Sequence, residues 1–78
     1  MLSEPRQLKA ARALIGWSQD VLAVKSKVSV VTIRRQEALE EFSWGVPILH
    51  KLQRSLESAG IEFLNHKQPG VRLVKNMR

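Results

Sequence analysis

The chain has 78 residues, no cysteine, and 13 Lys and Arg residues against seven Asp and Glu, which gives a formal net charge of +6. This length predicts one domain, and the lack of cysteine excludes disulfides and thiolate zinc sites. The excess of positive charge favours a polyanionic partner such as duplex DNA, RNA or a membrane surface. Because no apolar run of about 18 residues and no signal-peptide pattern occurs, we expect a cytoplasmic protein that does not enter a membrane.

The sequence contains no group of residues that would support catalysis or bind a metal. The two histidines, His50 and His66, are far apart and lack helical spacing. A serine nucleophile would need a base and an orienting group, and a phosphate loop would need a glycine-rich run followed by Lys and Ser or Thr. We therefore expect no enzymatic activity, no cofactor, no metal and no small-molecule substrate.

Two helices are predicted at the start of the chain. Ser3-Glu4-Pro5 is typical of a helix start, because a hydroxyl, an acid and a proline all suit a first turn. Gly16 ends this helix, and Ser18 caps the second one. The first helix is expected to bury Leu8, Ala11, Leu14 and Ile15. The second helix carries Val21, Leu22 and Lys25, with Trp17 in the core just before it.

A third helix follows after a short connection. The predicted connection is Ser26-Lys27-Val28, and Ser29 is the next N-cap residue. The helix is expected to run from Val30 to about Ala38. Its inward-facing residues are Ile33 and Glu37, and its displayed residues are Thr32, Arg34 and Arg35.

The last third of the chain predicts a fourth helix and a β-hairpin. Pro47 opens the helix, Gly60 ends it, and Trp44 in the preceding loop is expected to anchor it. The apolar stripe of this helix is Ile48, Leu49, Leu52, Leu56 and Ala59. After Gly60 the apolar period becomes two, at Ile61 and Phe63 and again at Val71 and Leu73. Because a lone hairpin is not stable in water, it must lie on the helices, pair with a second chain, or both.

Two short helices joined by a three-residue turn form the geometry that presents the second helix to the major groove of DNA. The sequence around this turn resembles the XRE or lambda-repressor/Cro-like family. The motif that carries the resemblance is Gln7-Leu8-x-x-Ala11-Arg12-x-Leu14-x-Gly16-Trp17-Ser18-Gln19-x-x-Leu22-Ala23, then Val28-Ser29-x-x-Thr32-Ile33-Arg34-Arg35-x-Glu37. The tail is similar to that of a bacterial subgroup of small, one-domain members, through Leu52-x-x-x-Leu56-Glu57-x-Ala59-Gly60-Ile61-Glu62-Phe63-Leu64 and Pro69-Gly70-Val71-Arg72-Leu73.

The resemblance implies a role for individual residues of this chain. The groove-facing positions, where bases are contacted, are occupied by Val30, Val31, Thr32 and Arg35. The positions at which we expect phosphate contacts are Gln19, Lys27, Ser29 and Arg34. Arg12 and Glu37 match a partly buried ion pair that ties the first helix to the third.

Three residues depart from the family pattern. Lys27 stands where the family has a glycine in left-handed conformation, and Leu39 stands where a glycine commonly follows the glutamate. Gln36 occupies a usually apolar position, and we expect its side chain to reach outward. These departures bear on the geometry of binding more than on the fold.

The sequence thus predicts a mainly α fold, a four-helix lambda-repressor-like domain over residues 1–60 with a C-terminal β-hairpin and tail over residues 61–78. The expected function is that of a homodimeric, sequence-specific regulator of transcription, a repressor or autoregulator that binds double-stranded DNA, with the hairpin as a dimerisation element. Two alternatives stay open. One is a protein-interaction module, similar to an antitoxin or antiactivator, that has lost base reading. The other is a nonspecific nucleoid or RNA binder.

Overall fold

The computed structural model describes residues 2–42, 46–64 and 69–74. Four helices precede two strands, and their bounds are α1 Pro5–Ile15, α2 Gln19–Ser26, α3 Val30–Glu37, α4 Val46–Ser58, β1 Ile61–Leu64 and β2 Gly70–Leu73. The predicted mainly helical fold with a C-terminal hairpin is therefore confirmed. The predictions for Trp44, His66 and the tail after Val74 lie outside the described residues.

The ends of the first three helices follow from single residues. Gly16 ends α1 in the left-handed region at φ 70°, which a residue without Cβ adopts easily. Ser18 and Ser29 cap α2 and α3, since their Oγ atoms accept hydrogen bonds of 3.1 Å from the amides of Val21 and Val31. At α1 the N-cap residue is Glu4 rather than Ser3, whose amide and hydroxyl instead donate to Oε1 of Gln7.

The core lies where the helices meet the hairpin. Its residues are Leu2, Leu8, Ala11, Leu22, Val28, Ile33, Leu52, Leu56, Ile61 and Phe63, with Ile15, Trp17, Ile48, Leu49 and Val71 among those packed against it. Leu14 was expected in this set and is 45% exposed instead. Leu14 lies six positions after Leu8, which turns it about 120° away from Leu8 around the helix axis.

The hairpin packs on the helices of its own chain. The strands are antiparallel, Glu62 faces Arg72, and β1 contacts α4 while β2 contacts α1. The amide of Val74 donates to the carbonyl of Gly60 at 2.6 Å, and a Cβ on Gly60 would lie 3.1 Å from the carbonyl oxygen of Val74. Support from the helices therefore explains how a two-stranded sheet persists, while pairing with a second chain stays a prediction.

None of the helices described is both long and apolar enough to cross a membrane.

Candidate nucleic-acid interface

Three residues, Lys27, Val28 and Ser29, connect α2 to α3. The connection therefore begins one residue later than predicted, because Ser26 is the last residue of α2. The Oγ atom of Ser26 is buried, donates to the carbonyl of Leu22 at 2.7 Å and accepts from the amide of Val28 at 3.2 Å. These two bonds satisfy the backbone where the helix stops and fix the geometry of the turn.

Lys27 is the one non-glycine residue with positive φ in the described part of the chain, at φ 62° and ψ 30°. The left-handed conformation inferred for this position is therefore present, although a Cβ makes it unfavourable by about 1 kcal/mol. The turn thus holds an exposed positive charge directly before the N-terminus of α3.

Helix α3 has one buried side and one exposed side. Ile33 and Glu37 are buried, at 0% and 5% exposure, on the one side of the helix predicted for both. Gln36 is also buried, at 5% exposure, so the expectation that its side chain reaches outward is wrong. Gln36 and Glu37 both lie within one turn of Ile33 on the side that packs on the protein.

The outward side of α3 presents the predicted base-contacting residues. Val31 is 53% exposed, Arg35 is exposed, and the two are one turn apart at i and i+4. Thr32 and Val30 are half-buried, so their side chains are only in part available to a ligand. The free surface of α3 is therefore centred on Val31 and Arg35.

The predicted phosphate-contacting residues lie at the edges of this surface. Lys27, Ser29 and Arg34 are exposed. Gln19 is half-buried, and its Nε2 donates to Oε1 of Glu37 at 3.0 Å. A side-chain amide has two N–H donors, so Gln19 keeps one for an external acceptor. The bond from Gln19 to Glu37 links the start of α2 to the end of α3, and nothing in the spacing of the sequence indicated it.

Arg12 and Glu37 join α1 to α3. Nε of Arg12 lies 2.7 Å from Oε2 of Glu37, and Nη2 lies 2.7 Å from Oε1. The third donor of the guanidinium, Nη1, bonds the carbonyl oxygen of Trp17 at 2.9 Å. The carboxylate of Glu37 therefore receives three hydrogen bonds from two other helices and holds the buried side of α3 in one orientation.

In the described part of the chain, the cations on the exposed side of α3 and in the turn before it have no carboxylate partner. The ion pairs among the described residues are Arg6–Glu4, Arg12–Glu37 and Arg72–Glu62. Lys27, Arg34 and Arg35 are in none of them. The two acids that follow α3, Glu40 and Glu41, line a cleft with Arg6 and Lys9 of α1. The surface formed by Lys27, Arg34 and Arg35 is therefore free to attract an anion.

Within the described ranges, no three His, Cys, Asp or Glu side chains come together as a group that could hold a metal ion.

A comparison of the chain with models of known protein families found no match, and a comparison with curated proteins found none either.

Proposed function

We propose that the protein binds double-stranded DNA by placing α3 in the major groove, and that it acts as a transcriptional regulator of the lambda-repressor-like type, a repressor or autoregulator. One observation carries the proposal. The helix after the three-residue turn is fixed on its buried side by Ile33 and Glu37, while Val31 and Arg35 stand free on the other side.

The dimensions of α3 suit the groove. An α-helix with its side chains is about 10–12 Å in diameter, and the major groove is about 12 Å wide and admits one helix. Arg35 is the base-reading residue in this proposal, since a guanidinium forms two hydrogen bonds with the O6 and N7 atoms of guanine. Val31 fits the methyl group of thymine, and Val30 and Thr32 make the remaining base contacts.

Phosphate contacts set the register of the helix on the duplex. Lys27 in the turn before α3 and Arg34 beside Arg35 are exposed and supply positive charge next to the free surface of α3. The hydroxyl of Ser29 accepts from the amide of Val31, which leaves its hydrogen to donate to a phosphate oxygen. Gln19 donates its second N–H in the same way. These four residues account for most of the affinity in this proposal.

The proposed active form is a symmetric dimer in the cytoplasm. Such dimers bind half-sites about 34–36 Å apart, one turn of the duplex. The proposed dimer surface is the unpaired edge of the hairpin, or its apolar face together with α4. At the end of the hairpin, Leu73 is 46% exposed and Val74 is 42% exposed. A monomer at tens of micromolar in analytical ultracentrifugation contradicts this part of the proposal.

Selection of bound sequences from a random duplex pool tests the function. We expect recovery of one palindromic site by the wild-type chain, and loss of preference at one base pair of each half-site for Arg35→Ala. Recovery of sequences without a shared site points to a nonspecific nucleic-acid binder. Recovery of no bound duplex contradicts DNA binding altogether.

The second candidate function is that of a protein-interaction module. Val24 of α2 is 76% exposed and Val21, one turn before it, is 38% exposed. Apolar side chains this exposed next to the turn suit contact with another protein. This alternative predicts binding to a protein partner that persists at 200 mM salt and in the presence of competitor duplex, whereas charge-driven DNA binding weakens strongly under the same conditions.

A further inference from the structure

A cleft lies where α2 and α4 meet, and α3 contributes no residue to it. Its volume is about 320 Å³, and its lining residues are Trp17, Lys25, Arg54, Ser55, Ser58 and Ala59. Ligand pockets in proteins range from about 300 to 1,000 Å³. The cleft is therefore large enough for a small molecule of about ten non-hydrogen atoms.

Two cations line this cleft, and neither forms an ion pair with another residue that the structure describes. Lys25 and Arg54 are both exposed. All seven Asp and Glu residues of the sequence lie in the described part of the chain, and the ion pairs found there use Glu4, Glu37 and Glu62. The positive charge of the cleft is thus available to an anion.

Lys25 is held in position by an aromatic ring. Its Nζ lies 5.9 Å from the centroid of the Trp17 ring, within the range of a cation–π contact. On the opposite side, Oγ of Ser55 donates to the backbone carbonyl of Lys25 at 3.3 Å and joins α4 to the end of α2. The ring contact restrains the ammonium group, and the bond from Ser55 fixes only the backbone of Lys25 against α4. A partly restrained side chain loses less entropy when an anion binds.

The rest of the lining combines apolar surface with hydroxyl groups. Trp17 and Ala59 are half-buried and supply the apolar surface. Ser58 is exposed, and among the described residues its hydroxyl has no hydrogen-bond partner. A site of this composition suits a molecule that is negatively charged at one end and apolar at the other.

We propose that this cleft binds a small organic carboxylate, with the carboxylate between Lys25 and Arg54 and the apolar body against Trp17 and Ala59. A free phosphate would use the two cations but leave the apolar surface without a partner, so the composition favours a carboxylate over an inorganic anion. The cleft shares α2 with the candidate DNA surface but none of its residues. The two proposals therefore stand or fall separately.

Titration of the full-length, 15N-labelled protein with sodium benzoate tests the site by NMR. At constant ionic strength we expect saturable shifts confined to the Trp17 indole and the amides around Lys25 and residues 55–59, with a Kd on the order of 1–10 mM for a ligand of nine non-hydrogen atoms. Benzamide has the same size and no charge, and we expect it to bind at least tenfold more weakly. Inorganic phosphate tests whether the site binds any anion, and we expect it to bind more weakly than benzoate.

Three variants separate the site from a general charge effect. Lys25→Gln and Arg54→Gln should each weaken benzoate binding at least fivefold, because each removes one partner of the carboxylate. Lys51→Gln is the matched control, since Lys51 is also an exposed cation of α4 but does not line the cleft. It should leave the Kd unchanged within a factor of two.

Several results overturn the proposal. Equal binding of benzamide shows an apolar surface without charge recognition, and equal binding of phosphate shows simple anion attraction. If Lys51→Gln lowers the affinity for benzoate as much as Arg54→Gln does, the net charge of the protein and not the cleft determines binding. Shifts that do not saturate, or that map to α3, show that the cleft is not the site.

Discussion

Arg12 of α1 and Glu37 of α3 are 25 residues apart in sequence and form a two-point ion pair with both distances at 2.7 Å. The side chain of Glu37 is 2% exposed and that of Arg12 is 18% exposed, so the pair is largely removed from water. A carboxylate buried to this degree needs a partner, because an uncompensated buried charge is strongly unfavourable. The pair therefore couples the orientation of α3 to the stability of the fold.

Arg12→Met should lower the free energy of unfolding by about 3–5 kcal/mol, since it leaves Glu37 buried without its cation. Urea unfolding followed by circular dichroism measures the loss. The double variant Arg12→Met/Glu37→Leu should recover most of it, because the buried charge is then gone. Arg6→Met is the control, since Arg6 is 86% exposed in its pair with Glu4 and such pairs contribute under about 1 kcal/mol. Equal losses for Arg6→Met and Arg12→Met contradict this account of the buried pair.

Lys27→Gly should stabilise the fold and weaken DNA binding. Glycine adopts the left-handed conformation at residue 27 without strain, so we expect a gain of about 1 kcal/mol in the free energy of unfolding. Lys27→Ala is the matched control, because it removes the same charge and keeps the Cβ; it should bring no gain in stability. Both variants should reduce affinity for all duplexes alike. A stability gain for alanine as large as that for glycine shows that charge, not backbone conformation, limits stability at this turn.

Arg35→Ala should reduce affinity by about 1–3 kcal/mol per half-site and relax preference at one base pair of each half-site, as expected for loss of a two-bond contact to guanine. Fluorescence anisotropy on the selected site and on random duplex measures the difference. Arg34 is the neighbouring exposed cation, and Arg34→Ala should lower the affinity for both duplexes by the same factor. If Arg35→Ala lowers the affinity for the two duplexes equally, Arg35 contacts the sugar-phosphate backbone of the DNA and not a base.

Affinity for DNA should fall steeply with salt. With roughly four to six phosphates neutralised per dimer, the logarithm of the binding constant should decrease against the logarithm of salt concentration with a slope of about −4 to −5. Anisotropy titrations between 50 and 200 mM salt give the slope, and Lys27→Ala should make it less steep by about 2, because each dimer loses two lysines. A slope near zero contradicts phosphate contact by the surface of Lys27, Arg34 and Arg35.

Gln7→Leu should destabilise the hairpin and the N-terminal segment together. The buried side chain of Gln7 donates to the carbonyl of Gly70 at 3.0 Å and accepts from the amide of Ser3 at 2.7 Å. Loss of these bonds leaves buried polar groups without partners, which should lower the free energy of unfolding by about 1–3 kcal/mol. The rate of amide hydrogen exchange should increase most in β2. Unchanged protection of Val71 and its neighbours contradicts this role for Gln7.

Local sequence signals account for much of the fold. Helix ends at Gly16, Ser18 and Ser29 depend on one residue and its immediate neighbours, so backbone conformation and capping predict them well. The change of apolar period from that of a helix to two after Gly60 predicts the hairpin, because this pattern too is local in sequence. Errors of one residue, such as the assignment of Ser26 to the turn, arise because a helix can extend wherever a side chain satisfies its last carbonyls.

Contacts between distant segments were much harder to predict. The ion pair of Arg12 with Glu37 was expected only through resemblance to a family, because spacing does not bring residues 25 positions apart together. The bonds from Gln7 to the hairpin and from Gln19 to Glu37 had no signal in the sequence. The polarity of Gln36 predicts an exposed side chain, whereas the packing of α3 on the protein buries it.

Methylation interference on the selected duplex is the most direct test of α3 in the major groove. Methylation of guanine N7 marks the major groove, and methylation of adenine N3 marks the minor groove. We expect guanine N7 methylation to block binding at the base pair whose preference depends on Arg35, with no effect of adenine N3 methylation there. Interference by adenine N3 methylation alone, or by neither, contradicts major-groove binding by α3.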